Sequence, residues 1–182
     1  MSQTILGLDV GSDTIKAVLA IPRGRMGIRV LAFETVRMED GMNMEAALKK
    51  LAEMIRPLAP SKIRCVVSLP PSEIMFRQIH LPFRDENKIK KTLPLELEPL
   101  LPLPIEEVVI DYMHLPNDGL LSAAVGRERI RKVISAVEEH LGEVSAIDIT
   151  TAALALPLLE HKAIPDAGIL LDVGASSTFA VF

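Results

Sequence analysis

The sequence has little of what would mark a membrane-spanning, secreted or nucleic-acid-binding protein. Its 182 residues include no Trp, one Cys and 3% aromatic residues, so the core must be aliphatic and no disulfide can form within the chain. The net charge of -4 gives no electrostatic basis for binding nucleic acid. The first residues do not show the basic segment and apolar core that are typical of a signal peptide, and no apolar run approaches the ~18 residues of a membrane span. We therefore expect a chain of cytoplasmic character without a membrane span.

A short motif, Asp-Val-Gly between two apolar runs, occurs near each end of the chain. The copies occupy residues 6–19, around Asp9, and residues 169–182, around Asp172. The apolar runs predict β-hairpins, and the glycine suits a turn that brings backbone N–H groups close to an anion. Two such hairpins facing each other would hold the phosphates of a nucleotide, with carboxylates available to hydrated Mg²⁺. The alternative is an ordinary turn in which each Asp satisfies local backbone donors.

The segment before Pro70 predicts a sheet covered by one helix. A third strand is expected at 28–36, and a short buried strand at 63–69 contains the cysteine. We expect this Cys65 to be a small buried residue of the core. Between the two strands, apolar residues recur at the spacing of one helical face and are followed by prolines that should end the helix: Met44, Ala47, Leu48, Leu51, Ile55, Pro57 and Pro60.

Pro70 and Pro71 mark the start of a second unit. Two helices are expected in it, one from near Asp85 and one over 130–141. Four strands are predicted, with the turn Asn117-Asp118-Gly119 between the second and third, at 74–81, 108–115, 120–125 and 144–149. The resulting β-α-β-β-α-β order over residues 72–149 is the ferredoxin-like order. A small α/β insert is therefore predicted within a sheet-based domain.

Four residues are expected to shape the ends of the later helices. Pro94 should kink or shorten the first helix of the insert, and Gly142 should end the second. Thr150 could cap a last helix, which Pro157 would disturb.

The sequence resembles PilM and the related L proteins of type II secretion, a family with the actin-like ATPase fold. The hairpin at 6–19 resembles the first phosphate motif of actin and Hsp70-type ATPases. The stretch 68–112, with its Pro-rich middle at 97–104, resembles PilM and the L proteins. The similarity continues to the second hairpin, through 122–126, 146–148 and 171–177. It covers essentially the whole chain, which we expect to match about the first half of a full family member.

The resemblance implies an α/β protein whose actin-like (ribonuclease H-like) lobe carries an insert. Residues 1–71 and 150–167 would form the base of that lobe. Residues 72–149 would be the inserted ferredoxin-like subdomain, arranged as in the division protein FtsA. Residues 168–182 would be the first hairpin of a second lobe, and the nucleotide of such proteins lies between the lobes.

The resemblance also implies a set of nucleotide-binding residues in the two hairpins. Asp9 and Asp172 would act on Mg²⁺ through bound water, and Lys16 would supply positive charge. The remaining residues would present N–H and hydroxyl groups to phosphate, with Gly11, Ser12 and Thr14 in the first cradle and Gly174, Ala175 and Ser176 in the second. ATP and Mg²⁺ are expected only in the full-length protein, and no tight binding is expected from these 182 residues.

Two positions depart from the family pattern and argue against hydrolysis. Asp13 stands where PilM-like sequences usually have a small hydroxyl residue, so its charge would repel phosphate unless it turns outward or faces the metal. Ala175 stands where stronger ATPases of the fold often have Gly, which restricts the turn.

The partners that the resemblance implies are proteins at the cytoplasmic face of the bacterial inner membrane. PilM-like members bind the tail of a membrane-anchored assembly protein, and L-like members recruit the secretion assembly ATPase. Two hypotheses follow: a platform that binds partners through the insert and adjoining groove, or an ATPase whose turnover drives conformational change or filament assembly. We favour the platform, and homodimer formation is left open.

Three other groups of residues are predicted to have no chemical role. The histidines fall in separate elements without ligand spacing, so no metal site is predicted: His80, His114, His140 and His161. Basic residues are expected on solvated helix faces, with headgroup binding as the alternative: Lys88, Lys90, Lys91, Arg127, Arg129, Arg131 and Lys132. Acidic residues beside the Pro-rich turn serve solubility or form a partner-facing rim: Glu96, Glu98, Glu106 and Glu107.

Overall fold

The computed structural model describes residues 3–24, 27–39, 41–59, 62–116, 119–160 and 168–181. The strands in these ranges are β1 (Thr4–Val10), β2 (Thr14–Pro22), β3 (Ile28–Arg37), β4 (Ile63–Leu69), β5 (Met75–His80), β6 (Val108–His114), β7 (Gly119–Gly126), β8 (Glu143–Ile149), β9 (Leu170–Val173) and β10 (Thr178–Val181). The α-helices are α1 (Met44–Ile55), α2 (Glu86–Leu97), α3 (Arg127–His140) and α4 (Thr150–Glu160). Among these helices, none has the length and apolar character needed to cross a bilayer.

The chain divides into two compact units, Met1–Pro71 with Ile134–Phe182, and Ser72–Val133. The first unit contains a five-stranded mixed sheet in the order β3-β2-β1-β4-β8. The strands β1, β2 and β3 are antiparallel neighbours, whereas β4 and β8 run parallel to β1. The carboxyl ends of β1, β4 and β8 therefore lie at one edge of the sheet, which is where open α/β sheets bind ligands.

One face of this sheet forms the core of the first unit. Side chains of β1 and β4 alternate between buried and partly exposed positions, as expected for strands with two unequal faces. Helix α1 contacts β2 and β3 and contributes the fully buried Leu48, Leu51 and Ile55. Its start is fixed by Asn43, whose side chain accepts a hydrogen bond of 2.9 Å from the N–H of Ala46.

The cysteine lies in this core, as predicted. Cys65 on β4 has no exposed surface, and burial, followed by the nearby charge of Glu138, raises the pKa of its thiol to about 12. The reactive thiolate is therefore scarce at neutral pH. We expect iodoacetamide to modify the native chain very slowly at pH 8 and rapidly in urea, as measured by mass spectrometry. Rapid modification of the native chain would contradict this burial.

The second unit has its own sheet and its own core. Its strands are antiparallel in the order β5-β7-β6. Helix α2 begins at the cap residue Asp85, which accepts a hydrogen bond of 2.9 Å from the N–H of Lys88. The core consists of five aliphatic side chains from α2, β5 and β7: Ile79, Ile89, Leu93, Leu97 and Leu120.

The structure differs from the prediction in the last strand of the insert. The β-α-β-β-α-β order is present, but β8 pairs with β4 in the first sheet, so the sheet of the insert has three strands and its compact unit ends at Val133. Gly142 permits this pairing, because a Cβ on any other residue there would lie 2.5 Å from the carbonyl oxygen of Ile63 at the start of β4. The chain thus enters β8 directly beside β4.

The helix ends also differ in part from expectation. Helix α2 continues through Pro94 to Leu97 and is not shortened, because Leu93 and Leu97 are both buried in the core. Helix α4 likewise continues past Pro157 to Glu160. Thr150 is the first residue of α4 and its hydroxyl contacts other side chains. The predicted turn residues Asn117 and Asp118, the predicted helix terminator Pro60 and His161 lie outside the described residues.

Candidate functional site

Asp9, at the carboxyl end of β1, is held by contacts to both of its carboxylate oxygens. Oδ2 lies 3.2 Å from Nζ of Lys16, its register partner on β2. The hydroxyl oxygens of Ser68 and Thr150 lie 3.3 and 3.4 Å from Oδ1, and they are 3.2 Å from each other. Three elements besides β1 therefore position one carboxylate: strand β2, the end of β4 and the start of α4.

A cavity of about 420 Å³ lies on this face of the first unit. It combines three carboxylates with one ammonium group, those of Asp9, Asp148, Asp172 and Lys16, and its volume is typical of small-molecule sites. Hydroxyl and apolar side chains complete its lining: Leu8, Val18, Val66, Ser68, Thr150, Ala153 and Leu154. The two Asp residues of the repeated motif thus border the same cavity.

The two Asp-Val-Gly turns have the same backbone geometry. The N–H of Gly11 donates to the carbonyl of Thr14 at 3.1 Å, and that of Gly174 donates to the carbonyl of Ser177 at 2.9 Å. A Cβ would lie 2.9 Å from the Thr14 oxygen in the first turn and 3.1 Å from the Ser177 oxygen in the second. A side chain at Gly11 would therefore force the turn to shift, and one at Gly174 would be tightly packed, while the N–H groups of both glycines are engaged within their turns.

The tips of the two hairpins meet. The hydroxyl oxygens of Ser12 and Ser176 are 2.7 Å apart, so the hairpins face each other as the sequence predicts for a phosphate clamp. Ala175 precedes Ser176 in the second of these turns.

Asp13 is paired with a cation of the neighbouring strand. Its Oδ2 lies 3.4 Å from Nε of Arg37 on β3 and accepts a hydrogen bond of 3.1 Å from the hydroxyl of Thr14. The charge of Asp13 is thus partly offset, and the Thr14 hydroxyl is directed to this carboxylate. Of the predicted cradle residues, Thr14 consequently needs to reorient before it could contact phosphate.

The residues around the cavity fit the chemistry of a magnesium nucleotide. Carboxylates bind Mg²⁺ directly or through its water molecules, and Asp9, Asp148 and Asp172 supply them. Lys16 could contact phosphate once its ion pair with Asp9 opens. The roles of all nine predicted residues toward a nucleotide stay predictions.

A second cluster, which the sequence analysis did not identify, lies in the insert. The hydroxyl of Tyr112 donates to one carboxylate oxygen of Glu86, and Nε2 of His114 lies 3.0 Å from the other. The rings of Tyr112 and His114 meet edge to face, with centroids 5.9 Å apart. Residues 112 and 114 share one face of β6 because side chains alternate along a strand, which was the available sequence signal.

This cluster gives a prediction about the only tyrosine of the chain. The hydrogen bond to Glu86 is the main cause that raises the pKa of Tyr112 to about 12, and the same bond lowers the pKa of Glu86. At pH 11 we expect the native tyrosine to be mostly protonated and that of Glu86→Gln to be mostly ionised, as measured by absorbance at 295 nm. Glu96→Gln on the same helix is the control, and equal ionisation in all three proteins would contradict the contact.

Comparison with solved structures identifies the fold. The PilM protein of a structure described as the PilM-PilN type IV pilus biogenesis complex is similar, with 24% identity, a TM-score of 0.79, and coverage of 97% of this chain and 57% of that one. The cytoplasmic domain of EpsL, an inner membrane component of the Vibrio cholerae type II secretion system, gives 14% identity and a TM-score of 0.63, with coverage of 98% and 71%. The predicted actin-like α/β fold is confirmed.

Family membership rests on a match along almost the whole sequence. A search of the curated proteins returns no significant match. The family model described as type IV pilus assembly protein PilM matches residues 7–180, which include both Asp-Val-Gly turns and the insert between them. The chain therefore belongs to the family of the type IV pilus assembly protein PilM.

Proposed function

We propose that this protein is an assembly platform of a type IV pilus or type II secretion complex at the cytoplasmic face of the inner membrane. The observation that carries this proposal is the family match over residues 7–180. It is supported by the similar PilM, whose structure is that of a PilM-PilN complex. The chain spans 57% of that relative's length. The expected partners are the tail of a membrane-anchored, PilN-type protein and the secretion assembly ATPase.

The insert has a surface suited to such a tail. A cavity of about 370 Å³ is lined by apolar residues together with Arg84 and His114. The apolar residues are Leu81, Phe83, Leu115, Pro116 and Leu120. We propose that it accepts an apolar side chain of the tail, flanked by an acidic group that faces Arg84. Nε2 of His114 lies 3.0 Å from a carboxylate oxygen of Glu86, a contact that restrains the imidazole on this side of the cavity. Preorganisation of this kind reduces the entropy lost on binding.

A charge reversal tests the surface. Arg84→Glu should weaken binding of the cytoplasmic tail of the PilN-type protein by about tenfold or more, as measured by calorimetry, because opposed like charges disfavour the complex. Arg131→Glu makes the same change in charge at an exposed position of α3 and should leave binding within about twofold. Equal effects of the two variants would contradict the assignment of the cavity.

Nucleotide binding in the cavity of the first unit is the second candidate function. The four charged groups that border it favour this candidate. We propose a structural or regulatory nucleotide without turnover, because Lys16, Ser68 and Thr150 engage both carboxylate oxygens of Asp9. In the full-length protein, calorimetry should detect binding of ATP with Mg²⁺ and its loss in Lys16→Ala. Unchanged binding in that variant would place the nucleotide elsewhere.

A further inference from the structure

Three potential metal ligands meet between two helices of the first unit. Glu45 lies in the first turn of α1, and Glu139 and His140 end α3. One ligand atom from each of the three side chains lies within 4.8 Å of the other two. No sequence spacing predicts this group, because 94 residues separate Glu45 from Glu139.

These side chains have no other polar partner among the residues that the structure describes. Nε2 of His140 is buried and makes no hydrogen bond there, which is costly unless a donor or a metal ion reaches it. Neighbouring carboxylates are engaged instead: Glu138 accepts from the N–H of Val144 at 3.1 Å, and Glu143 pairs with Lys62 at 3.5 Å. Glu45 and Glu139 have no ion pair within the described ranges.

We propose that Glu45, Glu139 and His140 bind a divalent transition-metal ion of the zinc class. Imidazole nitrogen and carboxylate oxygen are both zinc ligands, and a site with three protein ligands leaves the fourth position to water. Bonds of about 2.0–2.2 Å place neighbouring ligands of a tetrahedral site about 3.3 Å apart. Rotation of the two exposed glutamate side chains can close the remaining distance.

The surroundings also favour a cation. The last turn of a helix carries partial negative charge, and His140 is the final residue of α3. The guanidinium of Arg56 donates to the backbone carbonyl of His140 at 2.6 Å, so this contact does not engage the ring or either carboxylate. A metal here would fasten the start of α1 to the end of α3.

Calorimetric titration of the chain with Zn²⁺ at pH 7.5 tests the proposal. We expect one ion per chain, with affinity reduced about tenfold or more in His140→Ala and in Glu139→Gln, since each removes a ligand. His80→Ala removes an exposed histidine of β5 that lies outside this group and should bind zinc as the native chain does. Zinc should also raise the melting temperature of the native chain, because a ligand that binds the folded state stabilises it.

Two results would overturn the site. One is the absence of both binding heat and a shift in melting temperature at about 100 μM Zn²⁺, a concentration well above the dissociation constants of specific zinc sites. The other is unchanged zinc affinity in the folded variants. If circular dichroism shows that His140→Ala is unfolded, Glu45→Gln decides, because this exposed change should leave the fold intact. Unchanged zinc affinity in Glu45→Gln likewise overturns the site, and neither outcome bears on the partner surface of the insert.

Discussion

Leu51→Ala should lower the free energy of unfolding by about 2–5 kcal/mol, the range for a leucine that leaves a cavity in a packed core. Leu51 lies in the middle of α1 and has no exposed surface. Its neighbours on the same helical face, Leu48 and Ile55, are equally buried, so collapse around the missing atoms is restricted. Leucine and alanine are both good helix formers, so the loss of stability in Leu51→Ala reports packing more than helix propensity.

Leu58→Ala is the matched control for this change. Leu58 lies in the short turn that follows α1 and keeps 47% of its surface exposed, so the same substitution should cost less than about 1 kcal/mol. Urea denaturation followed by circular dichroism measures both. Equal costs would mean that α1 does not pack on the sheet as described.

Gly142→Ala should destabilise the chain by about 1–3 kcal/mol, the usual range for atoms forced into occupied space. The added Cβ would lie 2.5 Å from the carbonyl oxygen of Ile63 and 3.2 Å from its carbonyl carbon. These are backbone atoms at the start of β4, so no side-chain rotation relieves the clash. The strands β4 and β8 would have to separate, which is costly because their pairing joins β8 to the first sheet.

Gly7→Ala provides the control for Gly142→Ala in the same denaturation experiment. A Cβ on Gly7 meets nothing closer than the carbonyl oxygen of Val18 at 4.0 Å. The substitution should therefore change the free energy of unfolding by less than about 0.5–1 kcal/mol. If both substitutions are tolerated, the junction of α3 and β8 is looser than the structure shows.

The elements that sequence predicts well are those fixed by local patterns. The first hairpin follows from two apolar runs around a glycine turn, and α1 follows from its apolar spacing. The partner of β8 could not be predicted in this way, because strand pairing joins segments about 80 residues apart. The register of β8 with β4 in the structure shows which sheet the strand joins.

In the candidate site, too, contacts between residues close in sequence could be predicted, and contacts between distant residues could not. The pairing of Asp9 with Lys16 follows from hairpin register, in which these two residues are direct partners. Ser68 and Thr150 are 59 and 141 residues from Asp9, so their hydroxyls could be assigned to it only from the structure. The contacts of the Thr150 hydroxyl could not be predicted for the same reason, because its partners Asp9 and Ser68 lie on β1 and β4, far from Thr150 in sequence.

We propose that this protein acts by binding its partner and not by turning over ATP. The most direct test combines calorimetry with the PilN-type tail and a phosphate-release assay with ATP and Mg²⁺, using full-length protein and its Asp9→Ala variant. We predict that both proteins bind the tail in the absence of nucleotide and that neither releases phosphate above the blank. Phosphate release that Asp9→Ala abolishes, or tail binding that requires Asp9, would contradict the account.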